Sequence, residues 1–150
     1  RRLTSGRSLR CKGMSPKEIV IVLVRHPVDG RLFVHQRSAT KKTFPLHYGI
    51  GAGGHRELGE TIEAGAIREL REETGLETPV AYLFSTEVMA EGRPQIDYVF
   101  ETVGSFETLP LHDEWGWWGW MTKEEIDRIH AEGKLCTDTA DNWRRYRSLV

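Results

Sequence analysis

Residues 19–24 read IVIVLV. Side chains alternate between the two faces of a strand, so a run that is apolar at every position is stable only where both faces of a sheet are covered. That requirement calls for helices on each side of the sheet. The remaining sequence supplies them. Leu32 to Val34 resume the apolar pattern after Asp29-Gly30, a strong hairpin signal. Residues 38–49 are polar and basic, contain Pro45 and run into Gly51, Gly53 and Gly54, so they read as a loop. Thr61 to Thr74 is the clearest helix: Thr61 can cap it, Glu63 suits its positive N-terminal end, and Gly75 suits a left-handed exit. Val80 to Met89, Gln95 to Thr102 and Trp115 to Met121 read as strands, with Glu91-Gly92 turning between the first two. Helices near Lys123 to Glu132 and Asp138 to Ser148 close the chain. The expected fold class is α/β, with a mixed central sheet covered on both faces.

A length of 150 residues suits one domain. Residues 1–15 carry Arg1, Arg2, Arg7, Arg10 and Lys12 with no acidic residue or apolar period, so they read as a flexible basic tail with Met14 as a candidate start, and residues 16–150 as a single domain. No apolar run approaches the ~20 residues of a membrane helix. A formal net charge of -1 gives no global positive field, so neither nucleic acid nor a membrane is expected as partner, and phosphate recognition must be local. Cys11 and Cys136 fit neither a metal motif nor a disulfide-dense scaffold, and a reduced, cytoplasmic setting is expected.

The central helix carries the chemistry. At 100° per residue, Glu69, Glu72 and Glu73 fall within roughly a 100° arc, while Ala66 and Leu70 point toward the packed side. Three carboxylates at this spacing repel one another, a cost that a bound divalent cation reverses. Oxygen ligands favour Mg²⁺ or Mn²⁺ over Zn²⁺, and Mg²⁺ commonly pairs with a phosphate-bearing substrate. Taken alone, a Glu-rich helix with Arg68 and Arg71 interspersed also suits a solvated surface laced with ion pairs.

The wider spacing decides between these. Residues 54–76 read GHRELGETIEAGAIRELREETGL, with Gly54, Glu60, Arg68-Glu69, Leu70, Glu72-Glu73 and Gly75-Leu76 at fixed intervals. This segment matches the Nudix box throughout, and the chain resembles the Nudix hydrolases. The resemblance implies a Nudix-type α/β/α sandwich over roughly residues 17–150 and hydrolysis of a diphosphate linkage, with a nucleotide or other diphosphate as small-molecule substrate. It implies Glu72 and Glu73 as metal ligands and Glu69 as ligand or base. Gly53 matches the residue whose carbonyl completes the metal site, and Arg68 the arginine that holds box carboxylates in place, here Glu60. Gly54, Glu60, Arg68 and Gly75 are then structural members of the box. A further functional Glu comes from downstream regions in this family, which points to Glu101 or Glu114 as an additional catalytic base.

Upstream, residues 36–45 read QRSATKKTFP, similar to isopentenyl-diphosphate isomerases and a neighbouring group of isomerase-like Nudix hydrolases. Arg37 and Lys41, with Lys42 adding charge, become candidates for holding substrate phosphates. The isomerase itself needs a cysteine before the box and metal-binding histidines, where this chain has Gly51-Ala52-Gly53-Gly54-His55. A lone His55 suits a surface or supporting role better than a Mg²⁺ ligand. Isomerisation and nucleotide binding without turnover are the competing readings. Alternation along a strand sends Trp118 and Trp120 to one face and Trp115 and Trp117 to the other, one face being core and the other able to stack a nucleobase. Trp143 and Tyr146 suit packing. The Trp-rich segment serves an interface as readily as a pocket, so a homodimer stays open.

Overall fold

The structure, a computed structural model, describes residues 15–109 and 114–150. The basic tail, apart from Ser15, lies outside the described residues. Strands β1 (Lys17–Arg25), β2 (Leu32–Arg37), β3 (Tyr48–Ile50) and β4 (Ala52–His55) precede helix α1 (Ile62–Thr74). Strands β5 (Ala81–Ala90), β6 (Arg93–Val103) and β7 (Trp115–Met121) follow, then helices α2 (Lys123–Ala131) and α3 (Thr137–Leu149).

The IVIVLV strand is the axis of a mixed sheet. β1 runs parallel to β6 from Lys17↔Gln95 to Arg25↔Val103, and antiparallel to β4 from Ile19↔His55 to Val22↔Ala52. It meets β2 only at Arg25↔Leu32. β2 carries β3 and β7, so the sheet divides into two branches where the chain passes from β3 to β4. Gly51 is the dividing residue. It adopts φ +85, its amide donates to the Phe33 carbonyl at 3.0 Å, and a Cβ there would overlap the Val22 carbonyl. The glycine segment expected to be a loop is therefore strand on both sides of this point. Glycine has weak strand propensity and no side chain to alternate, so the pairing comes from β1 and β2 rather than from the segment itself.

Both faces of β1 are covered, as its apolar run requires. Val20, Val22 and Val24 pack with Phe33, Phe100 and the α1 residues Ala66 and Leu70. On the opposite face Leu23 packs with Val34, Val99, Ile126 of α2 and Trp143 and Tyr146 of α3. Burying such side chains contributes about 1.5–3 kcal/mol each relative to exposure.

The helix ends follow the sequence signals. The Thr61 hydroxyl accepts from the Ala64 amide at 3.0 Å, and Gly75 closes α1 at φ +81 with its amide on the Arg71 carbonyl. A capping box at Thr122 and Glu125 starts α2. Glu91 and Gly92, at φ 53 and 75, form the β5–β6 turn with both central residues left-handed.

The tryptophans depart from simple alternation. Gln36 pairs with Trp117 but Arg37 pairs with Trp115, so Gly116 is an extra residue in a bulge. That insertion turns Trp115 onto the face of Trp118 and Trp120, where all three pack around Phe33 and the α1 core. Trp117 alone takes the other face, beside Tyr48 and 42% exposed.

Candidate active site

The segment before α1 is pinned by two arginines. Arg56 pairs with Glu18 and donates to the Glu60 carbonyl at 2.7 Å. Arg68, on the second turn of α1, grips Glu60 with two bonds, Nε to Oε2 at 2.7 Å and Nη2 to Oε1 at 3.0 Å. It also donates to Glu69 Oε2 at 2.9 Å, Glu72 Oε1 at 3.3 Å and the His55 carbonyl at 3.0 Å. The Arg68 bonds, together with the Glu57 amide, hold the Glu60 carboxyl down at about 2. This is the pairing that the resemblance implies, and it fastens the loop to both α1 and β4. His55 contributes its backbone. Gly65 leaves the room that Glu60 occupies, since a Cβ there would stand 3.0 Å from Glu60 Oε1.

Glu73, one turn beyond Glu69, is placed differently. Its Oε1 accepts the Gly53 amide at 3.1 Å. Burial pushes its carboxyl up to about 8, and the charges of Glu69, Glu114 and Glu72 push the same way, with the Gly53 amide offsetting only part. Gly54 makes room for the neighbouring carboxylate, because a Cβ there would overlap Glu69. Glu69 is 12% exposed and Glu72 55% exposed.

Among the described residues no three His, Cys, Asp or Glu side chains converge closely enough to hold an ion as they stand, and the geometry shows why. Arg68 draws Glu69 and Glu72 toward itself while Glu73 faces Gly53. The donor set nevertheless fits a hard divalent cation. All donors are oxygens, Glu73 is a half-buried carboxyl beside like charges, and the glycines on β4 leave open backbone next to it.

A cavity of about 540 Å³ opens across Gly53 and Gly54 from these carboxylates, within the usual range for ligand sites. Arg37 lines it, with Nε donating to the Thr43 carbonyl at 2.9 Å. Lys41 instead faces Glu114, Nζ to Oε2 at 3.7 Å, with Glu114 61% exposed. The two expected phosphate ligands are thus divided between the cavity and the carboxylate cluster.

The two downstream glutamates are also separated. Glu114 lies close enough to raise Glu73. Glu101 is on the opposite side of the sheet from α1, at the register position of Leu23, where it accepts from Tyr146 Oη at 2.8 Å and from Arg25 Nε at 3.2 Å. It ties α3 to β1 and β6 and does not join the carboxylates of α1. Trp143 is buried and donates its indole N–H to Asp127 at 2.8 Å, a packing role as expected.

Sequence reasoning passed over the cavity floor. Asp97 is fully buried, held by Gln95 Nε2 at 2.7 Å and Asn142 Nδ2 at 2.8 Å. An aspartate at an inward-facing position of a central strand was the available signal. Cys136, distant in sequence from the box, also lines the cavity.

Known proteins share this fold. The NUDIX domain profile matches residues 16–139. The chain is 31% identical over 132 residues to the uncharacterized Nudix hydrolase SCO1686 of Streptomyces coelicolor, covering 86% of this chain and 72% of that one. It is 28% identical over 136 residues to the nucleoside triphosphatase NudI of Escherichia coli K12, covering 83% and 93%. The crystal structure of DR0079 from Deinococcus radiodurans superposes with a TM-score of 0.70 at 28% identity, over 86% of this chain and 82% of that one. The chain belongs to the Nudix hydrolase family, hydrolases of the pyrophosphate bond in nucleoside diphosphate-linked substrates that generally use a divalent metal ion. Among the described residues no helix is long and apolar enough to cross a membrane.

Proposed function

We propose that this chain is a Mg²⁺-dependent hydrolase, with Mn²⁺ as the alternative ion, that cleaves a diphosphate linkage in a nucleoside di- or triphosphate or a related conjugate, with water as nucleophile. The observation that carries the reading is the half-buried Glu73 carboxyl, raised among three other carboxylates beside the glycine-walled mouth of a ligand-sized cavity. Glu69, Glu72, Glu73 and the Gly53 carbonyl are its metal ligands. When bound, the cation supplies charge stabilisation for the diphosphate oxygens and an activated water.

The chain's own residues do the rest. Arg68 keeps Glu69 oriented through a direct bond. Glu114, exposed and near Glu73, is the better placed proton acceptor; Glu101 is committed to Tyr146 and Arg25 on the far face. Arg37 at the cavity offers a planar donor fork to a phosphate. Lys41 balances Glu114.

A product-release screen with Mg²⁺ over nucleoside di- and triphosphates, dinucleotides, nucleotide sugars and isoprenoid diphosphates tests this. Turnover that disappears in Glu73→Gln is expected. Full turnover in that variant contradicts the metal assignment, and tight nucleotide binding with no product over hours favours a binding protein.

One observation favours the isomerase reading: Cys136 reaches the cavity wall. Against it, burial pushes that thiol up to about 11, which disfavours the thiolate, and the stretch before the box has no cysteine. Direct conversion of isopentenyl diphosphate to its allylic isomer decides the matter, and none is expected. The buried, unpaired thiol suits a reducing cytoplasmic setting.

A further inference from the structure

The far end of the cavity has a polarity that the carboxylate cluster does not explain. Strand register places Gln95 and Asp97 of β6 on one sheet face with Ile19 and Ile21 of β1 and Val88 of β5, since Asp97 pairs with Ile19 and Gln95 with Val88. Ile19, Ile21, Val88 and Gln95 line the cavity, and Asp97, fully buried, is bonded to Gln95. α3 begins over the same end and brings Asp138 to the wall.

Hydrogen-bond logic then fixes which groups meet a ligand. Each carboxylate oxygen of Asp97 receives a side-chain amide, Oδ1 from Gln95 and Oδ2 from Asn142. An ionised carboxylate accepts only, so Gln95 must turn its NH₂ toward Asp97. The same nitrogen donates to Asp138 Oδ2 at 3.3 Å. Gln95 is 4% exposed, and among the described residues no donor reaches its carbonyl oxygen. Asp138 takes the Thr139 amide on Oδ1 and Gln95 on Oδ2, which leaves further lone pairs on both oxygens. This end of the cavity, whose wall also carries Lys17 and Asp141, therefore offers acceptors held in place by a buried frame.

We propose that Gln95 and Asp138 form an acceptor pair that selects nucleotides whose base carries an exocyclic amino group, as adenine, cytosine and guanine do. The proposal rests on the nucleotide reading above and extends it to the base. An amino group supplies two N–H donors and can meet both acceptors. A carbonyl in the same place, as in uracil or hypoxanthine, faces two oxygens and leaves them unpaired on a desolvated surface, the arrangement that gives strong discrimination. Asp97 and Asn142 are positioning residues, acting through the orientation of Gln95.

Matched pairs test this without relying on turnover. Binding of CMP against UMP and of AMP against IMP, by calorimetry on the full chain, compares bases that differ in amino against carbonyl with the phosphate held constant. The amino member is expected to bind at least about tenfold tighter in each pair. Asp138→Asn, which presents an NH₂ in place of one oxygen, should bring both ratios to within about threefold, as should Gln95→Met, with folding checked by thermal melting. Equal affinities within a pair, ratios unchanged in both variants, or no binding of any of the four at millimolar concentration would overturn the proposal. Discrimination without hydrolysis of any nucleotide would instead overturn the hydrolase reading alone, and hydrolysis without discrimination the base reading alone.

Discussion

Glu60 and Glu73 belong to the same 23-residue motif and are pushed in opposite directions, one held at about 2 and the other raised to about 8. The difference lies in their partners. Glu60 has a built-in counter-charge, the bidentate Arg68, and is complete within the protein. Glu73 has one backbone amide, a half-buried position and carboxylates for neighbours. A folded domain tolerates such a group as the neutral acid or by taking up a cation. The first carboxylate builds the motif, and the second, on the function proposed above, takes up an ion that the protein does not supply.

The comparison can be broken by substitution. The largest expected effect is on Glu73→Gln, which should reduce turnover by about a hundredfold or more with the fold intact, because the neutral isostere keeps an acceptor for Gly53 but not the charge. Activity assay with circular dichroism checks both halves. Arg68→Ala should reduce turnover by about 10–100-fold and also lower the melting temperature, since it frees Glu69 and leaves Glu60 without its partner. A variant that lost activity with unchanged melting would show that Arg68 does not brace the loop.

Acidity sharpens the comparison further. A carboxyl raised in the folded state binds its proton more tightly there than in the unfolded chain, so the stability it contributes is present below about 4.5 and is lost as pH rises through about 8. Asp97, raised to about 6 mainly by its burial, acts with the same sign over a lower window. The metal-free protein should therefore melt at progressively lower temperature between about pH 5 and 8.5, and Mg²⁺ should reduce the loss at the alkaline end. Glu73→Gln should flatten the upper part of the profile. The smallest effect is expected at Glu101→Gln, with turnover within about threefold of the parent, since Glu101 holds Tyr146 on the other face of the sheet. A hundredfold loss there, with the melting temperature unchanged, would return Glu101 to the catalytic set.

Legibility in the sequence follows the same division between local and long-range causes. The limits of α1, its Thr61 cap and its Gly75 exit depend on residues near one another in the chain, and spacing exposes them, while the Glu60–Arg68 pair is what the resemblance to the Nudix box implies. Strands β1, β5, β6 and β7 were legible from apolar runs and turns to within one or two residues. β3 and β4 were not, because their glycines owe their strand state to partners on β1 and β2. The face of Trp115 depends on a bulge opposite Arg37 that no periodicity within β7 announces. Glu101 and Glu114 are both downstream candidates in the sequence, Glu114 at a looser spacing, and register places Glu101 beside Leu23 on the α3 side, away from the carboxylates of α1. The floor at Gln95, Asp97 and Asn142 joins residues up to 47 positions apart through side-chain bonds, a pattern invisible without the fold.

Calorimetric titration of the metal-free protein with Mn²⁺ at pH 7, repeated in buffers of different ionisation enthalpy, tests the central claim most directly, because it counts protons as well as ions. Glu73 should be largely protonated before the ion binds and ionised afterwards, so wild-type protein should release close to one proton per ion bound at this site, with both the release and the tight site lost in Glu73→Gln. Equal binding by the two proteins, with no proton released by either, would contradict the assignment of Glu73 as the carboxyl arranged for a cation.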